Sequence, residues 1–241
     1  MEKIVNFQTS LFGSFINIKP RTAVVLSLLN NLKDESFIPG TIDLLSLNPV
    51  SGEIATENRI QMVSEDKTWN IVFLENWIDF NYNYRPDTQK YIKIDDLCNY
   101  VKNLVEKVFR TFPETTGNRI AVNGKILLEE MSDDEFKVFT EKFAAPLNLY
   151  KGEVLQEWST RFNLRKEIKW DDKKELCNCI TELSKVYPQN DPQINEIAVS
   201  IDINTVAQND DYRFKAKDII QFSQKANIII DNVFEEIERW F

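Results

Sequence analysis

Two aspartates, Asp79 and Asp202, are placed where they could act as a pair of carboxylates. Each is the second residue of an Ile-Asp-x-Asn tetrapeptide, at residues 78–81 and 201–204. If the two segments pair about a twofold axis, the carboxylates approach each other and form a metal site or an acid pair. Exposed strand positions beside asparagine are the simpler interpretation, and the sequence leaves both open.

A third carboxylate belongs to the tripeptide Glu167-Ile168-Lys169. This tripeptide resembles the end of a metal-dependent nuclease motif, in which the glutamate and an upstream aspartate hold the metal while the lysine activates water. The upstream strand carries Glu153 and Glu157 and no aspartate. A metal-dependent phosphodiester hydrolase that uses Glu167 and Lys169 is therefore the alternative functional hypothesis.

The remaining acidic runs have structural explanations. The run at residues 133–135 follows Ser132, and the pattern Ser-x-x-Glu is a capping box that begins a helix. The pairs at 171–172 and 210–211 lie in segments of turn composition, where aspartate shapes loops. We assign no catalytic, cofactor-binding or metal-binding residue to these runs.

The chain contains no histidine, which excludes many enzyme classes. Histidine is the usual general base near neutral pH, the partner of serine and cysteine nucleophiles, and the commonest zinc ligand. The six glycines are isolated, so neither a Walker-type phosphate loop nor a dinucleotide fingerprint is present. We expect no standard nucleotide site, no cofactor and no enzymatic activity.

The net charge of −9 favours a basic partner over nucleic acid, because phosphate binding requires a concentrated basic surface. One basic cluster is present: Arg161, Arg165, Lys166 and Lys169. Strand alternation puts Arg161 and Arg165 on one face. A solvated sheet face and a contact to phosphate or an acidic partner are the two interpretations of this cluster.

The cysteines and the N-terminus predict a cytoplasmic location. Cys98, Cys177 and Cys179 are expected to be free thiols, with the last two on one face of a strand. The first residues lack the apolar region of a secretory signal, and every apolar stretch is too short to span a membrane.

Hydrophobic periodicity predicts alternating groups of strands and helices. Helices are predicted at 21–33, 94–112, 132–143 and 216–240, and strands at 42–47, 59–63, 69–74, 77–84, 119–128, 154–165, 176–186 and 194–204. Pro39-Gly40 is expected to end the first helical region, and residues 48–52 read as a turn. Strand groups ahead of long helices indicate an α+β fold with helices packed on antiparallel or mixed sheets.

The order of elements also predicts an internal duplication. The Ile-Asp-x-Asn repeat is followed at similar distances by Val108-Phe109 and by Val233-Phe234. We place a boundary after Ala145, which gives halves at 1–145 and 146–241 that either stand apart or form one compact domain.

The chain resembles a sporadically distributed, uncharacterised bacterial family of proteins of similar length. The resemblance involves the segments Trp77–Asn83, Arg119–Leu128, Ile197–Asn204 and Ile219–Phe234. Val122 stands before Asn123 where that family usually has an aromatic residue. The resemblance implies a plan of the fold and supplies no catalytic residues.

These observations lead to a functional hypothesis. Sporadic distribution is typical of mobile or conflict-related genes, and the acidic surface suits a basic protein. We therefore expect a non-catalytic protein-binding module, for example an immunity, antidefence or accessory subunit, with no membrane contact. Self-association remains open.

Overall fold

Nine strands, four α-helices and one short 3₁₀ helix make up the part of the chain that the structure describes. The structure is a computed structural model, and it describes residues 3–47, 54–87, 92–144, 155, 157–186, 195–206 and 211–239. The strands are β1 Lys3–Phe12, β2 Phe37–Leu47, β3 Ile54–Ser64, β4 Trp69–Phe73, β5 Trp77–Asn83, β6 Arg119–Leu127, β7 Ser159–Trp170, β8 Lys173–Val186 and β9 Glu196–Thr205. The helices are α1 Thr22–Asn31, the 3₁₀ helix Lys33–Glu35, α2 Ile94–Phe109, α3 Asp133–Phe143 and α4 Ala216–Glu238.

All nine strands belong to one antiparallel sheet with the order β2-β3-β4-β5-β1-β6-β9-β8-β7. The predicted α+β class with an antiparallel sheet is therefore confirmed. The first strand, β1, pairs with both β5 and β6 and lies at the centre of the sheet. Strands β2 and β7 form the two edges.

At the β2 edge, the prediction for Pro39-Gly40 is wrong. Pro39 and Gly40 do not mark the end of the first helical region, which ends at Glu35; they lie inside β2, opposite Met62 and Gln61. A strand paired on one side only can carry a proline, since the missing N–H group can face away from the ladder. The predicted turn at residues 48–52 lies outside the described residues, as do Ala145 at the predicted boundary and Trp240.

The strand alternation that the sequence indicates for β5 is present in the structure. Ile78, Phe80 and Tyr82 are fully buried, whereas Asn81 and Asn83 are more accessible. The same face continues into β6, where a side chain added at Gly124 would contact Ile230 of α4. This face therefore holds the core, and α2 and α4 contact it through β1, β5, β6 and β7.

The helices begin and bury residues largely as their sequences indicate. The predicted capping box of α3 is confirmed: the backbone N–H of Glu135 donates to Ser132 Oγ, and the Glu135 carboxylate accepts from the backbone N–H of Ser132. In α4, Ile230 and Phe234 are buried while their neighbours Ile229 and Val233 are half-buried. The buried stripe consists of Ile219, Phe222, Ala226, Ile230, Phe234 and Ile237.

Arg59 is a buried cation that fixes the segment after β1. Its side chain is completely inaccessible, and Nη1 donates to the carbonyl oxygens of Phe15 and Ile18 at 3.3 and 3.4 Å. Nη2 contacts the Glu57 carboxylate at 3.0 Å. A buried charge is tolerated where it is paired and hydrogen-bonded, and here those bonds connect residues 13–20 to β3.

The three cysteines are free, as predicted: Cys98 and Cys177 are buried and Cys179 is partly exposed. Within the described residues, no helix combines the length and the apolar character that crossing a bilayer requires.

Candidate functional site

The structure does not bring the two repeated aspartates together. Asp79 lies on β5 and Asp202 on β9, and β1 and β6 lie between those strands. Three strand spacings correspond to roughly 14 Å. Asp79 is 7% exposed and accepts a hydrogen bond from Ser10 Oγ at 2.6 Å, and burial raises its pKa. Asp202 accepts instead from Asn204 Nδ2 at 2.9 Å.

Glu167 and Lys169 lie on the same face of the edge strand β7, but no ligand set surrounds them within the described residues. Lys174 of β8 lies 2.5 Å from Glu167, and both side chains are about half exposed. Glu157 precedes β7, and Glu153 lies outside the described residues. Among the residues described, no group of three or more His, Cys, Asp or Glu side chains is arranged to hold a metal ion.

The basic cluster on β7 is an exposed strand surface. Arg161 and Arg165 share a face as predicted, and Arg165 Nε donates to Asn178 Oδ1 at 3.3 Å. Lys166 lies on the opposite face by alternation. The acidic turn at residues 171–172 has a structural role as well, because Asp171 pairs with Lys217 at 2.5 Å.

The face of the sheet opposite α2 and α4, which we call the open face, is rich in amide side chains that the sequence alone does not group. Asn81 donates to Asn70 at 2.8 Å, Asn123 donates to Gln8 at 3.3 Å, and Asn178 donates to Asn204 at 3.2 Å. A shallow depression of about 330 Å³ lies on this face between β1 and β7. Its lining includes Lys125, Arg161, Glu182 and Asp202, so charges of both signs surround it.

A cavity of about 580 Å³ lies on the other side of the sheet. Three segments form it: the 3₁₀ helix with Ser36, the β3–β4 turn, and the first two turns of α2. We call it the acidic cavity, and its lining consists of Glu35, Ser36, Ser64, Glu65, Asp66, Thr68, Trp69, Ile92, Asp96, Leu97 and Tyr100. Four of these residues are carboxylates, and no lysine or arginine is among them.

Two aromatic rings form the inner wall of the acidic cavity. Trp69 is 6% exposed, and its ring centroid lies 4.8 Å from that of Tyr100 at an interplanar angle of 48°. Tyr82 also packs against Trp69, with the ring centroids 5.3 Å apart. The rings are therefore held in place by the β4–β5 pair and by α2.

Two of the four carboxylates are fixed by hydrogen bonds. Burial alone would raise the pKa of Glu35, but hydrogen bonds from Lys107, Tyr100 and Asn103 outweigh burial and lower it. Asp66 accepts from Ser64 Oγ at 2.6 Å and from the backbone N–H of Thr68 at 3.1 Å. Both groups are therefore held in place as oriented acceptors at the cavity.

The other two carboxylates, Glu65 and Asp96, are exposed at the rim. Within the described residues, neither side chain has a hydrogen bond or an ion pair. The cavity thus combines an aromatic wall, two oriented carboxylates and two carboxylates without a partner.

A second concentration of acid lies on the outer surface of the helix layer, and we call Asp95, Asp231 and Glu235 the acidic helix face. Burial raises the pKa of Asp231, and the negative charges of Asp95 and Glu235 raise it further. Asp95 accepts from Asn227 Nδ2 at 2.6 Å, and Arg239 lies 3.9 Å from Glu235. Asp95 is adjacent in sequence to Asp96, so this face begins beside the acidic cavity.

Comparison of the chain with protein-family models, curated proteins and solved structures gives no match. We therefore infer the function from the geometry of the described residues.

Proposed function

We propose that this protein is a non-catalytic binding module of the bacterial cytoplasm that recognises a basic surface on a protein partner. An immunity, antidefence or accessory subunit of a conflict system is the kind of role this implies. The acidic helix face and the acidic cavity would form the contact surface. Charge of this kind steers an oppositely charged partner and accelerates encounter.

The observation that carries the proposal is the clustering of three carboxylates on the acidic helix face, where burial, and then the charges of Asp95 and Glu235, raise the pKa of Asp231. Neighbouring negative charges disfavour the ionised form of Asp231, and a cationic partner would offset that effect on binding. In Asp231 the repulsion comes from Asp95 and Glu235, which belong to two different helices. Among the residues described, one cation forms an ion pair with this group: Arg239, which lies 3.9 Å from Glu235.

The hydrolase alternative has no comparable support. Its proposed residues, Glu167 and Lys169, lie on an exposed edge strand, and Glu167 is paired with Lys174. A metal-dependent hydrolase also needs several oxygen ligands that converge on one point.

We also propose that the two halves arose by internal duplication. Two features support this. Outward from the central pair β1 and β6, the strands are in reverse chain order on both sides, from β5 to β2 beside β1 and from β9 to β7 beside β6. A long helix follows the innermost of these strands in each half: α2 follows β5, and α4 follows β9. In addition, Asp79 lies opposite Ser10 of β1, and Asp202 lies opposite Asn123 of β6. Each aspartate therefore faces the central strand of its own half. The test is whether residues 78–109 and 201–234 superpose with the two aspartates at matching positions.

The functional test is a capture experiment from a lysate of the native host. The baits are the wild-type chain, the variant Asp231→Asn/Glu235→Gln, and the control Glu114→Gln/Glu130→Gln. The control carries the same net charge as the variant but alters exposed carboxylates elsewhere. Each capture is run at low and high salt, with and without a chelator, beside a nuclease assay.

We expect a partner that the wild type and the control retain, that the helix-face variant loses, and that chelation does not release. Retention should weaken with salt because surface charges are screened. Metal-dependent cleavage that disappears in Glu167→Gln or Lys169→Ala, with no partner recovered, would replace this proposal with the hydrolase.

A further inference from the structure

The edge strand β7 has a backbone edge without a partner strand in the described part of the chain. It pairs with β8 along its whole length, from Ser159 opposite Ser184 to Trp170 opposite Lys173, and it ends the strand order of the sheet. Its sequence contains neither proline nor glycine, so every residue can contribute an N–H group to a ladder. The other edge strand, β2, contains Pro39, which has no N–H group. The β7 edge is therefore the better template for the addition of a further strand.

β7 is strongly basic although the protein is acidic. Four basic residues and the single acid Glu167 give the strand a charge of +3, whereas the whole chain has a net charge of −9. Glu167 is paired with Lys174 of β8. Within the described residues, none of the four basic side chains forms an ion pair. The positive charge of β7 therefore remains available to an acidic partner, and Arg161 and Arg165 place part of it on the open face.

An apolar groove of about 390 Å³ lies along the other face of β7, on the side of the sheet that α4 covers. Phe162 and Leu164 form its outer rim, and they are 52% and 61% exposed. Ile229 and Val233 of α4 line its inner side. The lining contains one cation and one anion and is otherwise uncharged, so the groove suits apolar side chains. Burial of the two exposed β7 side chains by a partner would be favourable.

The alternation of β7 defines the sequence pattern of a strand that would fit it. Side chains of an added strand point alternately to the two faces of the sheet and contact the side chains beside them on the neighbouring strand. On the open face they would lie beside Arg161 and Arg165, and on the groove face beside Phe162 and Leu164. The complementary segment therefore alternates acidic and apolar residues.

Two other occupants fit this surface less well. Pairing of β7 with β7 of a second copy would place two strands of charge +3 side by side, and like charges on neighbouring strands are destabilising. A nucleic acid would bind the arginines through its phosphates but would leave the apolar groove and the backbone edge without contacts.

We propose that β7 binds an extended acidic segment of a protein by strand addition, with acidic side chains beside Arg161 and Arg165 and apolar side chains beside Phe162 and Leu164. The backbone ladder would supply affinity and the alternate side chains specificity. This surface uses different residues from the acidic helix face and selects a partner of opposite charge. It is therefore a second binding site, beyond the proposed function.

The test uses the purified chain and a defined peptide, fluorescein-labelled Glu-Val-Glu-Ile-Glu-Val-Glu. Anisotropy measures binding, and hydrogen exchange of the amides in residues 159–170 shows where it occurs. One control peptide has lysine in place of every glutamate. Two further controls carry N-methyl groups, on the glutamates or on the apolar residues, because successive N–H groups of a strand point to opposite edges. A labelled single-stranded oligonucleotide represents phosphate binding.

We expect the acidic peptide to bind more tightly than the lysine peptide and the oligonucleotide, and to slow the exchange of alternate amides in β7. At least one N-methylated peptide should lose most of its affinity, because a methylated nitrogen cannot donate to the ladder. Salt should weaken binding only in part, since backbone and apolar contacts are not screened.

The variant Arg161→Gln/Arg165→Gln should bind the acidic peptide about fivefold to tenfold more weakly than the wild type. The matched control Arg21→Gln/Arg110→Gln, which changes exposed arginines outside β7, should bind as the wild type does. The variant Phe162→Ser/Leu164→Ser should also weaken binding. Its urea-unfolding midpoint should stay unchanged because both side chains are exposed in the free chain.

Four results would overturn the inference. Absence of peptide binding would leave the basic residues as a guard against self-pairing of the edge. Full retention of both N-methylated peptides, or equal losses in the two arginine variants, would exclude strand addition at β7. Tighter binding of the oligonucleotide would make the cluster a phosphate site. A dimer that the β7 variants disrupt would assign the edge to a second copy.

Discussion

Replacement of Arg59 by methionine should strongly destabilise the fold. Arg59 Nη1 is the donor to two buried carbonyl oxygens, of Phe15 and Ile18, and methionine fills much of the space without donating. A buried acceptor that loses its donor costs about 1–3 kcal/mol. The Glu57 carboxylate is 37% exposed and can be hydrated, so its contact with Arg59 adds little. The free energy of unfolding should therefore fall by about 3–5 kcal/mol.

Urea unfolding monitored by tryptophan fluorescence measures this change. For a chain of this length, the expected loss corresponds to a decrease in melting temperature of roughly 10 °C. The matched control is Arg161→Met, the same substitution on the exposed edge strand β7, which should change stability by less than about 0.5 kcal/mol. If Arg59→Met were as stable as the control, the two carbonyl contacts would not hold residues 13–20, and the reasoning would be refuted.

Three further predictions concern single side chains. Phe234 is 5% exposed, so Phe234→Ala should cost about 3–5 kcal/mol in urea unfolding, and an unchanged midpoint would place the side chain at the surface. Burial raises the folded-state pKa of Asp79 above its ordinary value of 3.8. The contribution of Asp79 to the free energy of unfolding is therefore fully present below pH 3.8, and it is lost as the pH rises through the folded-state pKa. Asp79→Asn should thus gain stability relative to the wild type between about pH 4 and about pH 7, and a constant difference across that interval would contradict the assignment. Burial, with nearby negative charge, raises the pKa of Cys98 and of Cys177 to about 12. Mass spectrometry should therefore find both thiols unmodified by iodoacetamide at about pH 8 in the native chain and modified in urea. Rapid labelling of the native chain would show that the thiols are not buried.

Local sequence patterns predicted the elements well because the signals that specify them are local. The alternation at Ile78, Phe80 and Tyr82 and the Ser132–Glu135 capping box each span a few residues, and both are present. Pro39-Gly40 was misinterpreted because the effect of a proline depends on whether its strand lies at an edge, and that depends on the whole sheet.

The candidate sites were largely inaccessible to sequence reasoning. The acidic cavity joins Glu35, Glu65 and Asp96 through packing between distant segments, and no periodicity connects them. The amide pairs of the open face depend in the same way on strand register, which places Asn123 opposite Gln8. The burial of Arg59 depends on carbonyl groups more than forty residues earlier. The net charge did indicate an acidic surface, but it did not show where the carboxylates cluster.

We propose that carboxylates of the helix layer attract a basic partner. The most direct measurement is the association rate constant between the purified chain and the partner recovered by capture, determined at several salt concentrations. For the wild type and for Glu114→Gln/Glu130→Gln, the rate constant should fall steeply as salt rises. For Asp231→Asn/Glu235→Gln it should be lower and should depend less on salt. Identical rate constants and salt dependences for all three proteins would contradict it.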